Sequence, residues 1–440
     1  MRYHFAKKLP LFLSLAIGCL VLGCSNSEGV DQEIIANWNI AEDDATPLSA
    51  ELDYLPLDDS EYPYAGIPRI VIETENRREI RDRETEIPAK LQIWGENSPE
   101  SEVMDLTIRG RGNSSWAMPK KSYKIEFINK QTMLGMPKDR DWALIANYLD
   151  KTLMKNYLAY HLSAELGAFY APRCDFVELF INREYLGIYL LTETIKIAKD
   201  RINIPKDSNS FLVEFDLRTR ENEQKILTHT IISSGKGYQI HFPKDASSQT
   251  LQLAQNHIEA FESFLKNIQK NKNNNLAQWI DTDEYINHYW IQEFSKNPDA
   301  RFNMSVFFSW IENQPIRMGP VWDFDLAMGG FNDTSINAVK DWLIKDSYWN
   351  KYVFQDSIMN HDKAAFWEAN KNKFFSTIST IDSIQVLLQN AAKNNFKRWN
   401  ILESTAHPCH FNSYKTYKEA TDDLKNWMQN RFTWIDNHFN

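Results

Sequence analysis

The stretch Met104-Asp-Leu-Thr-Ile-Arg-Gly-Arg-Gly-Asn-Ser-Ser-Trp-Ala-Met-Pro-Lys-Lys-Ser-Tyr-Lys-Ile-Glu-Phe127 decides how the first half of the chain folds. Met104, Leu106 and Ile108 alternate with polar neighbours, and so do Tyr123, Ile125 and Phe127. Residues two apart share one face of a strand, so each run predicts a half-buried strand. Between them, Gly110 to Trp116 is a glycine-containing turn. Working outward, the same period marks strands at Arg69–Glu73 and Ala89–Trp94. Asp175–Ile181 and Tyr185–Leu191 read as a hairpin turning at Asn182-Arg183-Glu184 and closing at Glu193, and Phe211–Phe215 reads as one more strand.

The period then changes. Asp150–Leu166 predicts an amphipathic helix stopped by Gly167, and Gln249–Gln269 predicts a longer one. Asp281 with Glu284 marks the start of a helix whose stripe is Ile286, Trp290 and Phe294. Strands are expected at 304–310 and 316–322, and helices from Asp362 to the end. Strands first and helices second predict an α+β fold of two lobes, β-rich over 67–195 and mainly helical over 196–440, rather than a βαβ alternation.

Composition narrows the function classes. At 440 residues the chain has room for a sizeable core, and 15 Gly with 16 Pro rule out collagen-like and low-complexity readings. A net charge of −10 argues against nucleic acid as partner. There is no CxxC pair, HExxH or GxSxG, which argues against a zinc site and an α/β-hydrolase elbow. His161 and His288 fall in helical patterns and read as core or surface residues.

The N-terminus reads as an export signal. Arg2, Lys7 and Lys8 precede an apolar run from Leu9 to Gly23, too short to span a bilayer comfortably. The run ends in Val21-Leu22-Gly23-Cys24, which resembles the lipobox of bacterial lipoproteins, with Cys24 the lipidated mature N-terminus. The expected location is the cell envelope, lipid-anchored to the membrane through Cys24. Ser25-Asn26-Ser27, with no Asp after the Cys, favours the outer membrane. Residues 24–66 are acidic and read as a tether, placing the folded domain over 67–440. Cys174 and Cys409 are the other cysteines of the mature chain and would be available for one disulfide.

Two clusters carry chemistry. Asn297-Pro-Asp-Ala-Arg-Phe-Asn303 is followed by Trp322-Asp-Phe-Asp325. Asp323 and Asp325 are two apart, so in an extended segment both carboxylates face one way and need solvent or a cation. Oxygen ligands of this kind suit Mg²⁺ or Mn²⁺; the plainer alternative is a capping Asp299 and two solvated strand-end acids. The second cluster is basic: Lys120, Lys121 and Lys124 follow the Gly110–Trp116 turn, whose backbone can hold phosphates. Lys121 shares the parity of Tyr123, Ile125 and Phe127, so it needs a partner. Glycine turn, strand lysine, helix, apolar hairpin, then acids repeats the order of parts in a protein kinase, without its HRD and DFG words.

These words together resemble the CotH family of spore-coat protein kinases, an atypical kinase-like group. The matching segments are Arg109–Trp116, Pro119–Phe127, Trp142–Asp150, Val177–Glu193, Asn297–Asn303, Gly319–Asp325 and Trp427–Trp434. The resemblance implies a two-lobed atypical protein kinase-like fold and ATP- and Mg²⁺- or Mn²⁺-dependent transfer to Ser/Thr of a protein substrate. It implies Asp299 as catalytic base, with Asn303, Asp323 and Asp325 at the metal. Lys121 is the nucleotide lysine, with Lys120 and Lys124 as runners-up; Glu193 contacts nucleotide, and Arg111, Asn113 and Ser114 belong to the phosphate turn. Two other expectations remain beside it: a kinase-like surface lipoprotein that only binds, and an acid-pair glycosidase using Asp299 with Asp323 or Asp325. The lipobox reading has its own check. Cys24→Ser should release the protein from membranes or block its processing; normal cleavage with retained membrane binding would overturn it.

Overall fold

The computed structural model describes residues 57–216, 224–228, 230, 237–270, 275–301, 304–330, 337–405 and 411–439. The alternating first half folds as β1 (Arg69–Thr74), β2 (Ile87–Trp94), β3 (Met104–Arg111), β4 (Ser122–Gln131), β5 (Asp139–Ile145), β6 (Cys174–Ile181) and β7 (Glu184–Glu193). They pair in the order β1-β2-β3-β4-β5-β7-β6 and close into a barrel. Closure comes from β1 lying parallel to β6, with Arg69 opposite Glu178 and Ile72 opposite Ile181. A β-rich region was expected and a barrel was not: the closing pair joins the two ends of the region, which no local pattern records. Ile108, Tyr123, Ile125, Phe127 and Trp142 fill the interior. The β6–β7 turn places Asn182 and Arg183 at φ 51° and 71°, the left-handed pair that suits the twist of a tight hairpin.

Helix α1 (Lys155–Glu165) starts later than its pattern suggests. The Asp150 carboxylate accepts from the amides of Thr152 and Lys155, both at 2.8 Å, and so organises a turn ahead of the helix. Gly167 ends it at φ 81°, as expected. A second sheet lies within the helix-rich half: β8 (Ser210–Asp216), β9 (Lys225–Leu227), β10 (Gly237–Phe242), β11 (Val306–Ile311) and β12 (Arg317–Met318), in the order β12-β11-β8-β10-β9. The strand expected over 316–322 is therefore only two residues long. Around this sheet pack α2 (Ser248–Lys266), α3 (Thr282–Ser295), α4 (Tyr348–Val353), α5 (Ser357–Arg398) and α6 (Tyr417–Asp436). Asp281, read as a helix start, accepts from the Glu284 amide at 3.2 Å. The whole is α+β, with strands concentrated first and helices last.

Strand β7 joins the two halves. Tyr189 and Leu191 point into the barrel, and Ile188 and Leu190 into the core shared with the helices. Helix α5 is fastened along it: Asn395 Oδ1 accepts from the Ile188 amide at 3.1 Å. Trp399 Nε1 donates to Leu186 O at 3.0 Å, just past the end of that helix. Residues 57–66, read as the end of the tether, pack against this junction. Asp59 pairs with Arg69 at 2.8 Å, Tyr62 stacks on Tyr185 at 4.4 Å, and Asn394 Nδ2 donates to Pro63 O at 2.8 Å. Cys174 is a free thiol whose pKa burial pushes upward, which disfavours its thiolate; Cys24 and Cys409 lie outside the described residues.

In the helical core, Arg431 and Glu293 form a fully buried pair at 2.8 Å. Glu293 also accepts from the amides of Leu343, Ile344 and Lys345, and Arg431 donates to Val339 O and Asp341 O. The pair thus ties α3 and α6 to the 337–347 segment. Breaking one partner strands a buried charge, a change that costs about 3–5 kcal/mol. Arg431→Met should lose that much in denaturant unfolding, and adding Glu293→Gln should cost less than the sum of the two single changes.

Candidate active site

A cleft of about 510 Å³ opens between the outer face of the barrel and the second sheet. Alternation along β3 and β4 puts Ile108, Tyr123 and Ile125 inside the barrel, so Arg109, Arg111, Ser122 and Lys124 face outward and line the cleft. Across from them stand Glu214 and Asp216 of β8, Gln239 and His241 of β10, and Phe307 of β11. Asp299, Trp322, Asp323 and Asp325 lie on the same lining. One wall is cationic and the other acidic.

The glycine turn forms the rim of the cationic wall. Gly112 has φ 103°, and a Cβ there would meet Ser115 Oγ at 2.0 Å, so the turn needs a glycine at that point. Arg83 donates to Gly112 O at 2.8 Å and to Asn113 Oδ1 at 3.1 Å, holding the loop, and Asn113 and Ser114 line the cleft. Arg111 lies over the Trp322 ring at 4.9 Å. Burial lowers its pKa, and the nearby Asp323 charge works against that. Lys124 is held by Asp141 at 2.8 Å and Glu126 at 3.0 Å. Burial pulls its pKa down, but those two carboxylates outweigh it and leave a firmly charged ammonium.

Two expected residues are elsewhere. Lys121 does not line the cleft: it precedes β4, and its ammonium folds back to donate to Trp116 O at 2.6 Å above that ring. Its apparent parity with Tyr123 means little once the chain leaves the strand. Glu193 is fully buried and also off the cleft; it accepts from Tyr170 OH at 3.2 Å and from Arg173 at 2.9 Å, with Arg201 at 3.7 Å. It braces the loop behind the cleft, while its neighbours Thr194 and Ile195 reach the lining. Lys120 reaches the lining but is almost wholly buried, donating to Ile188 O and to Asn395 Oδ1. Burial drives its pKa far below the usual lysine value. His288 is buried in α3, where desolvation pulls it down to about 4. Asn303 lies outside the described residues.

The acids gather at one end. The segment carrying Asp323 and Asp325 is not a strand; Asp323 sits at φ 65°, a left-handed backbone that costs a non-glycine residue about 1 kcal/mol or somewhat more. Its carbonyl accepts from Asn297 Nδ2 at 3.1 Å, and the next amide, Phe324 N, donates to Asn156 Oδ1 at 2.8 Å. Asp299 opens a short 3-10 turn, its amide donating to Asn297 Oδ1 at 3.1 Å. The Asp325 side chain is partly buried, with its carboxyl hydrogen-bonded to that of Asp323. Burial, then the charges of Asp323 and Asp299, push its pKa well up, with Lys155 opposing. Crowded, desolvated carboxylates call for a cation. Among the described residues no three His, Cys, Asp or Glu side chains form a ready-made metal cage. A pair of carboxylates nonetheless fits Mg²⁺ or Mn²⁺, which keep waters and take further oxygens from phosphates.

Lys124, the outward-facing lysine, was legible from the alternation that sends its neighbours inward. Asn156, Glu214 and His241 stand outside every motif and only folding brings them to the site; Asn147 and Asn297 stand inside quoted segments, but the sequence assigns them no role.

Residues 108–435, most of the chain, match the CotH kinase protein family. The chain belongs to that family, which implies ATP-dependent phosphoryl transfer in general terms. No curated protein matches it. The cationic wall makes a first check. A charged hydrogen bond contributes about 1.5–3 kcal/mol, so Arg111→Ala or Lys124→Ala should weaken nucleoside triphosphate binding by calorimetry about tenfold or more. Lys121→Ala should leave it near wild type.

Proposed function

We propose that this chain is an exported protein kinase that transfers the γ-phosphoryl group of ATP to Ser or Thr hydroxyls of surface or exported proteins, using Mg²⁺ or Mn²⁺. One observation carries the reading: Asp299, Asp323 and Asp325 share a single cleft with Arg111, Lys124 and the glycine turn. Phosphoryl transfer is mainly positioning and charge stabilisation, and it needs both signs at close quarters. In this reading Arg111 and Lys124 neutralise the polyphosphate, and the amides of the Gly112–Ser114 turn contribute donors. Asp323 and Asp325, with Asn303, would hold the metal, which when bound neutralises charge on the β- and γ-phosphates. Asp299 aligns the acceptor hydroxyl and takes its proton as transfer proceeds.

The barrel and the helix-rich half then serve as the two lobes of an atypical kinase-like fold, with the cleft between them. Lipidation at Cys24 would hold the domain at the outer membrane within reach of envelope substrates. Acid-pair glycoside hydrolysis is the weaker reading, since it leaves the cationic wall without a task. A kinase-like domain that only binds is separated from an active one by experiment.

Asp323→Ala should weaken metal-dependent ATP binding together with turnover. Asp299→Ala should keep binding while autophosphorylation falls by roughly two orders of magnitude or more, as expected for a positioned base. If wild type binds no nucleotide with either metal, the kinase reading gives way to the binding-lipoprotein one. If both variants lose binding equally, the assigned roles of the two acids are wrong.

A further inference from the structure

The peptide unit joining Asp323 to Phe324 is held from both sides by asparagine side chains. Asn297, just past α3, donates from Nδ2 to Asp323 O at 3.1 Å. Asn156, on α1, accepts at Oδ1 from Phe324 N at 2.8 Å. One carbonyl and one amide of a single planar unit are thereby fixed. This sets ψ of Asp323 and φ of Phe324, and with them the direction of the chain from Asp323 to Asp325. The hold matters because Asp323 is left-handed at φ 65°, a conformation that persists in a non-glycine residue only where its surroundings enforce it.

The same Asn297 amide group reaches the other acid. Its Oδ1 accepts from Asp299 N at 3.1 Å. One side chain therefore bridges the backbone of Asp299 to that of Asp323, across two segments far apart in sequence. Asn297 is 1% exposed and Asn156 is 2% exposed, so neither is a solvated surface amide. Asn156 is anchored in turn, since its Nδ2 donates to Asn147 Oδ1 at 3.2 Å, and Asn147 Nδ2 donates to Leu153 O at 2.9 Å. Three asparagines thus form a relay from the end of β5, through α1, to the loop after α3.

We infer that Asn297 and Asn156 are positioning residues: their clamp on the 323–324 peptide sets the spacing of Asp323 and Asp325 for a divalent cation, and Asn297 sets Asp299 in register with them. The inference rests on the metal-dependent kinase reading and adds residues that reading does not use. Neither asparagine has to touch metal or substrate. Groups that orient metal ligands typically affect metal affinity about 10- to 100-fold when removed.

The test is Mn²⁺ binding to the purified protein, followed by electron paramagnetic resonance without nucleotide and repeated with ADP, alongside thermal unfolding. Asn297→Ala and Asn156→Ala should each raise the Mn²⁺ concentration for half-saturation about tenfold or more while the protein remains folded. A purely structural role would lower the unfolding midpoint and leave Mn²⁺ affinity of the folded protein unchanged, and that result overturns the inference. If Asn297→Ala does not fold, Asn156→Ala tests the other hold on the same peptide by the same readout. Wild type that binds Mn²⁺ with ADP, beside variants that bind it equally well, sinks the clamp and spares the kinase reading. Wild type that binds neither Mn²⁺ nor ADP overturns both.

Discussion

Strand β7 belongs to two cores, and the geometry of the molecule hangs on that sharing. Tyr189 and Leu191 complete the barrel interior while Ile188 and Leu190 complete the helical core. A strand apolar on both faces has no solvent side to give way, so the two halves meet in a packed seam rather than across a wet interface. Helix α5 lies along the seam and supplies the amide of Asn395 where the strand's own backbone would go unpaired. The cleft walls, one on the barrel and one on the second sheet, inherit their spacing from this seam.

Within the cleft the governing constraint is charge. Three carboxylates meet at one end, the pKa of Asp325 is driven upward by burial and by its two neighbours, and Lys155 only partly relieves it. Arg111, whose charged form burial disfavours, is supported by the nearby charges of Asp323 and Glu214. Such a site is most comfortable when a cation sits among the acids and an anion sits against the arginines and lysine. A metal-bound polyphosphate supplies both at once, which is why membership of a kinase family and the electrostatics of the cleft point the same way.

Much of the fold was legible because local patterns reported it. Period-two runs placed β1 to β4 and the β6–β7 hairpin, Gly167 ended α1, and Asp281 began α3. Strands β5, β9 and β10 and the short helix α4 were not read from the sequence, and beyond them what was not legible was non-local. The parallel β1–β6 contact and the insertion of β11 beside β8 depend on pairings across long separations that no window of sequence encodes. The site divides along the same line. Asp299, Asp323, Asp325 and Arg111 stand in compact motifs and do share the cleft. Lys121 was assigned by strand parity just outside the strand, where parity stops applying, and Glu193 was assigned by its place at a hairpin end, where burial turns it toward Arg173. The roles of the asparagines, Asn297 included although it opens a quoted motif, were not legible because they are defined by backbone groups that only the folded chain brings near.

The docked segment at residues 57–66 has a mechanical side. Tension arriving along the chain from upstream would reach Asp59, Tyr62 and Pro63 before it reached β1. Those residues grip the barrel through Arg69 and Tyr185 and the long helix through Asn394. A pull would therefore be divided between the two halves instead of peeling β1 from its parallel neighbour. The segment is thus placed as a strain relief would be, like the clamp where a cable enters its housing, with its grips on both halves that frame the cleft.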